Sequence, residues 1–445
     1  MGEGNHPSRD AIRARQWSRL QDLLRAIVPA NPFYTRKLSG CGDLSRLKSL
    51  EGFSAQVPFT TKAELAADQL ASPPYGTNLT FSLDRYTRCH GTSGTSGAPL
   101  RWLDTPESWD WLVANWLEVF AAAGATRADR IFFAFSFGPF IGFWLAFEAA
   151  LRLGCLCLPG GGLSSVARLR MILEHGVTVL CCTPTYALRL AEVAATENID
   201  LADSRVKTLL VAGEPGGSIP ATRARLEQLW PGARVFDHHG MTEVGPVTHE
   251  CPARPGVLHV LEAAYYAEII DPTTGQPAPP GQTGELVLTT LGRAGSPLLR
   301  YRTGDLVKCG VSTLRSATED GRSAECGMGP CACGRFDLAL EGGILGRTDD
   351  MLVVRGVNIY PSAVEEVIRR CGGIAEFQVH VNRTGALTEL HVTIEPYSDC
   401  QDRDALARQL ERAFHTAFAL RVPVTSVAAG VLPRFEMKAR RWIKD

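Results

Sequence analysis

Several stretches of this chain carry residues whose types and spacing suit work on a phosphorylated small molecule. The run RCHGTSGTSGAPLRW places Thr92, Ser93, Gly94, Thr95, Ser96 and Gly97 in succession. Gly94 and Gly97 can take positive φ and leave no side chain in the way, so the loop can aim backbone N–H groups and hydroxyls at one anion. Ala98 and Pro99 follow where a P-loop would end in Gly-Lys-Ser/Thr. A flexible surface turn would have much the same composition. In FDHHGMTEVGP (Phe236–Pro246), Glu243 offers the hard oxygens that Mg²⁺ prefers beside a triphosphate, or else caps a helix start. His238 and His239 are flat rings able to stack on a base, or a partly buried polar pair. In PLLRYRTGDL (Pro297–Leu306), Asp305 follows Gly304 at a strand end and suits ribose hydroxyls, or forms an Asp turn. Lys438 lies in the basic tail LPRFEMKARRWIKD, where a lysine is ordinarily solvated.

The elements that must position these residues alternate. Apolar groups at helical spacing predict a helix over 11–28 that Pro29 and Pro32 end, and Thr60 or Thr61 can cap a short helix. A β-prone run over 79–87 leads into the Gly-rich loop, and an aromatic helix over 106–124 follows it. Strands over 131–137, 155–158, 177–182, 208–212 and 234–237 alternate with helices over 142–153, 166–175, 185–196 and 220–229. That pattern signals a largely parallel sheet covered on both faces, where ligands gather at the carboxyl ends of the strands. From about Val260 short β-prone runs over 264–270, 284–290 and 298–301 separated by Pro/Gly turns suggest a small antiparallel or barrel-like subdomain. Residues 309–343 read as a Gly-rich, cysteine-bearing loop. After the linker-like GRTDD (Gly346–Asp350), a strand over 351–355, a helix over 361–371, strands over 376–382 and 387–395, and a helix over 405–418 make a compact α+β unit. The fold class is therefore α/β: a large N-terminal domain (1–347) of mostly parallel sheets plus a small β subdomain, and a smaller mobile α+β C-terminal domain (348–445).

Composition narrows the function. Hydrophobic residues at 45% and charged residues at 21% describe an ordinary globular chain with ample core. A net charge of −1 argues against nucleic acid as a partner. No apolar run reaches the roughly 18 residues of a membrane span, and the N-terminus has no apolar signal region. The 13 cysteines read as reduced thiols with some metal ligands, and the expected location is the cytoplasm.

Taken together and in order, TSGTSGAP, GEP (Gly213–Pro215), HGMTEVGP, RYRTGDL, GRTDDMLVVRGVNIYPSAVEE and PRFEMKAR make the chain resemble the adenylate-forming acyl-CoA synthetases, most closely the phenylacetate–CoA ligase branch. The resemblance runs from about Arg19 to the C-terminus. It implies ATP-dependent activation of an acid to an acyl-adenylate, then transfer to coenzyme A. By this resemblance Thr92 to Gly97 handle phosphate, Glu214 and Pro215 line the adenine pocket, and Thr242 and Glu243 contact phosphate and Mg²⁺. Asp305 holds the ribose, Arg347 precedes the hinge, Asp349 is the hinge, and Lys438 serves the first half-reaction. Two departures stand out: Ala98 replaces a frequent lysine, and His239 a frequent tyrosine.

The run SFGPFIGFW (Ser136–Trp144) matches the family's acid-binding region. Phe137, Gly138 and Phe140, with Gly240, suit a flat aromatic acid, although ordinary core packing explains either phenylalanine. The resemblance also brings the pair Cys331 and Cys333 near Cys251 and His259, four ligands suited to Zn²⁺ in a branch that includes zinc-bearing members. Free thiols are the alternative, with Cys309, Cys326 and His249 in reserve. Transfer to a carrier protein or an amine instead of coenzyme A stays open, as does a non-catalytic nucleotide-binding regulator. The oligomeric state is open too, a homodimer among the options.

Overall fold

The computed structural model of the chain describes residues 6–92, 99–139, 141–142, 144–310, 329–350, 352–355, 357–384, 387–435 and 439–444. They fall into two compact units, one of residues 1–162 and 236–344, the other of residues 163–235 and 345–445.

In the first unit, helix Pro106–Ala122 begins as its residues dictate. Thr105 caps it by accepting the Ser108 amide, and Pro106 sits in the first turn, where its missing N–H leaves nothing unsatisfied. Trp109, Leu112, Val113, Trp116 and Phe120 recur at helical spacing and form its buried face. A βαβ element follows: strands Arg130–Phe133 and Leu156–Pro159 run parallel, joined by helix Trp144–Leu153. The N-terminal helix, Arg9–Ile27, ends before Pro29, but Pro32 plays the opposite part to the one expected. It opens the next helix, Pro32–Lys37, under an Asn31 cap, because proline suits a first turn as well as it breaks an interior one. Helix Lys62–Ala71 carries a full capping box between Thr61 and Glu64.

Strands Arg88–Gly91 and Arg101–Asp104 pair antiparallel. The Thr/Ser/Gly run therefore joins the two arms of a hairpin. The strand ahead of it lies at Arg88–Gly91 and not within 79–87, where a 3-10 turn at Leu83–Arg85 interrupts the extended backbone. The expected small β subdomain consists of strands Tyr265–Ile270, Thr283–Thr290 and Tyr301–Lys308 in an antiparallel meander. Its last strand begins at Tyr301 where the sequence suggested Leu298. Arg300, at φ 45°, breaks the extended path there and turns its guanidinium onto Glu268 at 2.9 Å. Beside the meander, Thr248–Cys251, Arg254–Val260 and Ala339–Glu341 form a second antiparallel sheet. Ala339–Glu341 falls in the stretch read as loop, its apolar signal being a run of three residues, Leu338 to Leu340, between two flanking Gly-rich segments.

The second unit holds another βαβ element: parallel strands Val179–Cys182 and Thr208–Ala212 about helix Pro184–Thr196. Every residue of both strands is buried, as the uninterrupted apolar runs VLCC and TLLVA require. Its C-terminal portion pairs Ile374–Thr384 with Leu387–Pro396 antiparallel and flanks them with parallel edge strands Trp442–Lys444 and Val424–Ser426. Helices Pro361–Cys371 and Arg403–Phe418 cover that sheet, with Val367, Ile368, Leu410 and Phe414 in the core. Among the described residues no helix is long and apolar enough to cross a membrane.

Candidate functional site

The stretch 236–246 leaves a buried strand and turns back on itself. Gly240 pairs with Pro246 and Met241 with Gly245, so Thr242, Glu243 and Val244 form the tip of a tight hairpin. Glycine is obligatory on both arms. A Cβ on Gly240 would lie 2.8 Å from the Gly245 carbonyl oxygen, and Gly245, at φ +90°, would drive one to within 2.2 Å of Leu112 Cδ2. Glu243 thus sits on a hairpin turn and not at a helix start.

The two histidines ahead of the hairpin part company. His238 turns inward, its Nδ1–H donating to the Thr248 carbonyl at 2.6 Å and its ring 4.3 Å from that of Trp116. Burial pushes its pKa down to about 3, so it is a neutral core residue and not a base-stacking ring. His239 turns the other way and brings Nε2 to 3.1 Å from Asp305 Oδ2. Asp305 lies inside strand Tyr301–Lys308 and not at its end, since the register continues through Leu306 and Val307 past a bulge opposite Glu285. Its amide is held by Thr303 Oγ1 at 3.0 Å, and the Gly304 amide donates to Glu285.

The turn itself is held by side chains that sequence reasoning missed. Arg293 and Asp104, both with fully buried side chains, form a two-pronged ion pair: Nε to Oδ1 at 2.7 Å and Nη2 to Oδ2 at 2.6 Å. The remaining terminal nitrogen, Nη1, donates to the carbonyls of Thr242 at 2.9 Å and Glu243 at 2.8 Å. The next carbonyl, that of Val244, accepts from the Tyr265 hydroxyl at 2.7 Å, and burial pushes that phenol's pKa up, keeping it a donor. Removing one partner of such a pair would cost about 3–5 kcal/mol by stranding the other charge. No local signal marks these residues, since Arg293 sits in GRAGSP among turn formers. Lys62 was missed as well. It opens helix Lys62–Ala71 and places Nζ 3.4 Å from Glu243 Oε1, a cation beside the carboxylate.

Thr92 is buried at the exit of its strand, where its hydroxyl accepts the Leu100 amide at 3.0 Å. Ser93, Gly94, Thr95, Ser96, Gly97 and Ala98 lie outside the described residues, as do Phe140 and Lys438. Phe137 packs among rings, with centroids 4.9 Å from Phe135, 4.6 Å from Trp144 and 5.4 Å from Phe147. The Gly138 carbonyl accepts Trp144 Nε1–H at 3.1 Å.

The Cys/His set converges. Cys251 Sγ is 3.6 Å from Cys331 Sγ, Cys333 Sγ is 3.4 Å from His259 Nε2, and all four ligand atoms lie within 4.8 Å of one another. Sulfurs about 3.8 Å apart are what a tetrahedron with bonds of about 2.3 Å gives, so the set fits Zn²⁺. Hydrogen bonding from Cys251, against the opposing effect of burial, pulls the Cys333 thiol's pKa down, toward the thiolate form that a metal ligand takes. His259 Nδ1–H donates to the Asp337 carbonyl at 3.2 Å and so turns Nε2 toward the sulfurs. Of the reserve ligands, His249 bonds instead to the Glu250 carbonyl, Cys309 is disulfide-bonded, and Cys326 lies outside the described residues.

In the second unit, Glu214 uses both carboxylate oxygens, accepting the Thr185 amide at 2.9 Å and the Ala439 amide at 2.8 Å. Pro215, which follows it, is exposed. Arg347 Nε donates to Asp349 at 2.9 Å. Arg434 bridges Glu192 at 3.0 Å and Glu395 at 2.5 Å.

A family model for AMP-binding enzymes matches residues 92–293, and one for the AMP-binding enzyme C-terminal domain matches residues 356–445. The phenylacetate–coenzyme A ligase of Pseudomonas putida is 31% identical over 97% of this chain and 93% of its own length. That of Escherichia coli (strain K12) is 30% identical over 97% of this chain and 94% of its own. The solved structure of 2-hydroxyisobutyryl-CoA ligase in the postadenylation state, in complex with R3-HIB-AMP, is 27% identical and has a TM-score of 0.88 over 100% of this chain and 94% of that one. The chain belongs to the AMP-binding enzymes, the adenylate-forming ligases, in the phenylacetate–coenzyme A ligase-like branch. Its activity is that of an AMP-forming acid–CoA ligase, with ATP, coenzyme A and a small carboxylic acid as substrates.

Proposed function

We propose that the acid is aromatic, an aryl or arylalkyl carboxylate, and that the residues clustered in the first unit activate it. A carboxylate acylates poorly because oxide is not a viable leaving group. Its oxygen therefore attacks the α-phosphorus of ATP, the α–β anhydride bond breaks, and pyrophosphate leaves. The thiol of coenzyme A then attacks the acyl carbon of the adenylate, and AMP leaves. The protein forms no covalent bond in this scheme, so its contribution is orientation and charge stabilisation.

The observation that carries the reading is the arrangement at the hairpin: His239 against Asp305 at 3.1 Å and Glu243 beside Lys62 at 3.4 Å. Asp305 takes the ribose hydroxyls, His239 borders the base, and Thr242 orients phosphate oxygens. Glu243, a buried carboxylate with Lys62 beside it, suits a divalent ion that also binds substrate phosphates. When bound, Mg²⁺ supplies neutralisation of the triphosphate charge. Thr92 and its loop, through Gly97, take the remaining phosphate oxygens. Glu214 and Pro215 border adenine, and Arg347 and Lys438 act from the chain beyond residue 344, Lys438 on the developing charge of the first half-reaction. In this reading a C-terminal domain of residues 348–445 turns about Asp349 between the two half-reactions. Cys251, His259, Cys331 and Cys333 would hold Zn²⁺, which would fasten the segment around Cys331 and Cys333 to the second antiparallel sheet of the first unit.

Phe137, Gly138, Phe140 and Gly240 form the acid pocket, and the phenylacetate ligases at 31% and 30% identity support an aromatic occupant. A compact hydroxy acid is the second reading. It is favoured by the 27% identity to 2-hydroxyisobutyryl-CoA ligase and by the ring of Phe137 being packed against Trp144 and Phe147. Acid-dependent ATP–pyrophosphate exchange across phenylacetate, benzoates, aminobenzoates and short hydroxy acids separates the two. Coenzyme A and a phosphopantetheinylated carrier protein are then offered as acceptors. Exchange only with the hydroxy acids would reject the aromatic reading. Exchange with an aryl acid but thioester only on the carrier protein would reject coenzyme A as the physiological acceptor.

A further inference from the structure

We propose that Arg293, locked by Asp104, is a positioning residue that ties the Thr242–Glu243 turn to the strand Arg101–Asp104 and so sets how the enzyme binds magnesium–nucleotide. The inference deepens the function proposed above and rests on the role given there to Thr242 and Glu243. Asp104 ends strand Arg101–Asp104, the return arm of the hairpin whose connection is the Thr/Ser/Gly run. Thr242 and Glu243 form the tip of the other hairpin. A single guanidinium joins them. Its Nε and Nη2 take both oxygens of Asp104, and its Nη1 takes the carbonyls of both Thr242 and Glu243.

The geometry goes beyond what stability alone requires. Thr242 and Glu243 sit in a turn three residues long and bracketed by paired positions, so their carbonyls have no partner strand. One donor fixes two successive peptide planes, and the Tyr265 hydroxyl fixes the plane after them. Fixing those planes fixes where the Glu243 and Thr242 side chains leave the backbone. Arginine is the residue able to do this. Its planar fork offers bidentate donors to a carboxylate with further N–H groups left over, whereas an ammonium offers one compact point of charge. A neighbouring tie, Ser296 Oγ to the Leu103 carbonyl at 2.7 Å, keeps the 293–296 segment on the same return arm without touching the turn.

The test is the conservative replacement Arg293→Lys, with Asp104→Asn as a second, isosteric variant, each checked by circular dichroism and thermal melting. For folded variants the expected result is a rise of about 10- to 100-fold in the Mg²⁺ concentration for half-maximal ATP–pyrophosphate exchange, the range usual when an outer partner of a metal ligand is lost. KM for ATP should rise with it, KM for the acid should stay within about twofold, and thioester formation from supplied acyl-adenylate within about threefold. Equal loss in both half-reactions, or an unchanged Mg²⁺ midpoint, would make the ion pair merely structural and overturn the proposal. If Arg293→Lys fails to fold, the Mg²⁺ midpoint of Asp104→Asn decides by the same standard. A wild-type enzyme that shows no acid-dependent exchange would sink the functional reading and this proposal with it. An active wild type with Mg²⁺-indifferent variants overturns this proposal alone.

Discussion

At the Thr242–Val244 turn it is the backbone carbonyls that buried donors tie down; at the Cys251–His259–Cys331–Cys333 set it is the side chains that face one another. The turn uses buried donors, Arg293 and Tyr265, to satisfy three successive carbonyls. Glu243 can therefore point away from those donors, with Lys62 beside it. The sulfur–imidazole set, one strand further along the chain, closes its four ligand atoms within 4.8 Å and orients its histidine from the outside through Asp337. The first arrangement suits exchange of ligands during turnover; the second suits one ion held without an open position. The contrast teaches that availability for chemistry depends on which half of a residue, main chain or side chain, has been spent on holding the fold.

That contrast can be broken by mutations that should move rate and stability in opposite proportions. The largest effect is expected from Glu243→Gln. Adenylate formation should fall by about 10²- to 10³-fold, as when one preorganised electrostatic partner is lost, with Tm little changed because the ion pair to the part-exposed Lys62 is a weak one. A large drop in Tm with only a small drop in rate would reverse the assignment. Next is Lys62→Ala, which should slow adenylate formation by about tenfold, an effect of ~1.4 kcal/mol, and leave thioester formation from supplied adenylate alone. The double variant Cys331→Ser/Cys333→Ser should show the converse. Bound zinc should fall from about one per chain to near zero and Tm by roughly 3–6 °C, while the rate of the surviving folded enzyme stays within about threefold. Metal analysis that finds no zinc in the wild type would reduce the set to thiols.

The smallest effect concerns His238. Its pKa is lowered by burial from 6.5 to about 3 in the folded protein. Below pH 6.5 the unfolded chain therefore takes up a proton that the folded chain refuses. Stability is full above that pH and declines as pH falls through the window from 6.5 toward 3. His238→Asn should make Tm less steep between pH 6.5 and 5, and an unaltered slope would show that other groups dominate. Glu395 acts lower in the scale. Burial raises its pKa, but Arg434 and the amides of Gly430 and Leu432 outweigh that and hold it at about 2. Its contribution is present above 4.5 and lost only as pH drops below that toward 2, so the two groups separate along a pH titration.

Much of this was legible in residue order. The helices Pro220–Leu229 and Pro361–Cys371 and the strand Thr208–Ala212 begin and end where Pro, Gly and apolar period place them. The hairpin glycines, the Gly304–Asp305 and Thr242–Glu243 pairs, and the Cys-x-Cys pair all stand out by their local pattern. Less legible were features set by backbone angle at one residue. Arg300, at φ 45°, delayed a strand by three positions, and a 3-10 turn moved the strand before the Gly-rich loop. His238 and His239 are neighbours of identical type, and nothing in the sequence says that one enters the core against Trp116 while the other meets Asp305.

What the sequence by itself determined is therefore the class of fold and the family, because period, caps and short motifs are local properties that survive without knowledge of the partners. Only the tertiary structure decided which of those groups are held and by what. Arg293 meets Asp104 across 189 positions of chain, and Cys333 meets His259 across 74. Contacts of that separation leave no periodic trace in either segment, since each partner obeys only the pattern of its own strand or turn. Their pairing is settled by how the strands register and by the need to satisfy buried charge and buried carbonyls once water has been excluded.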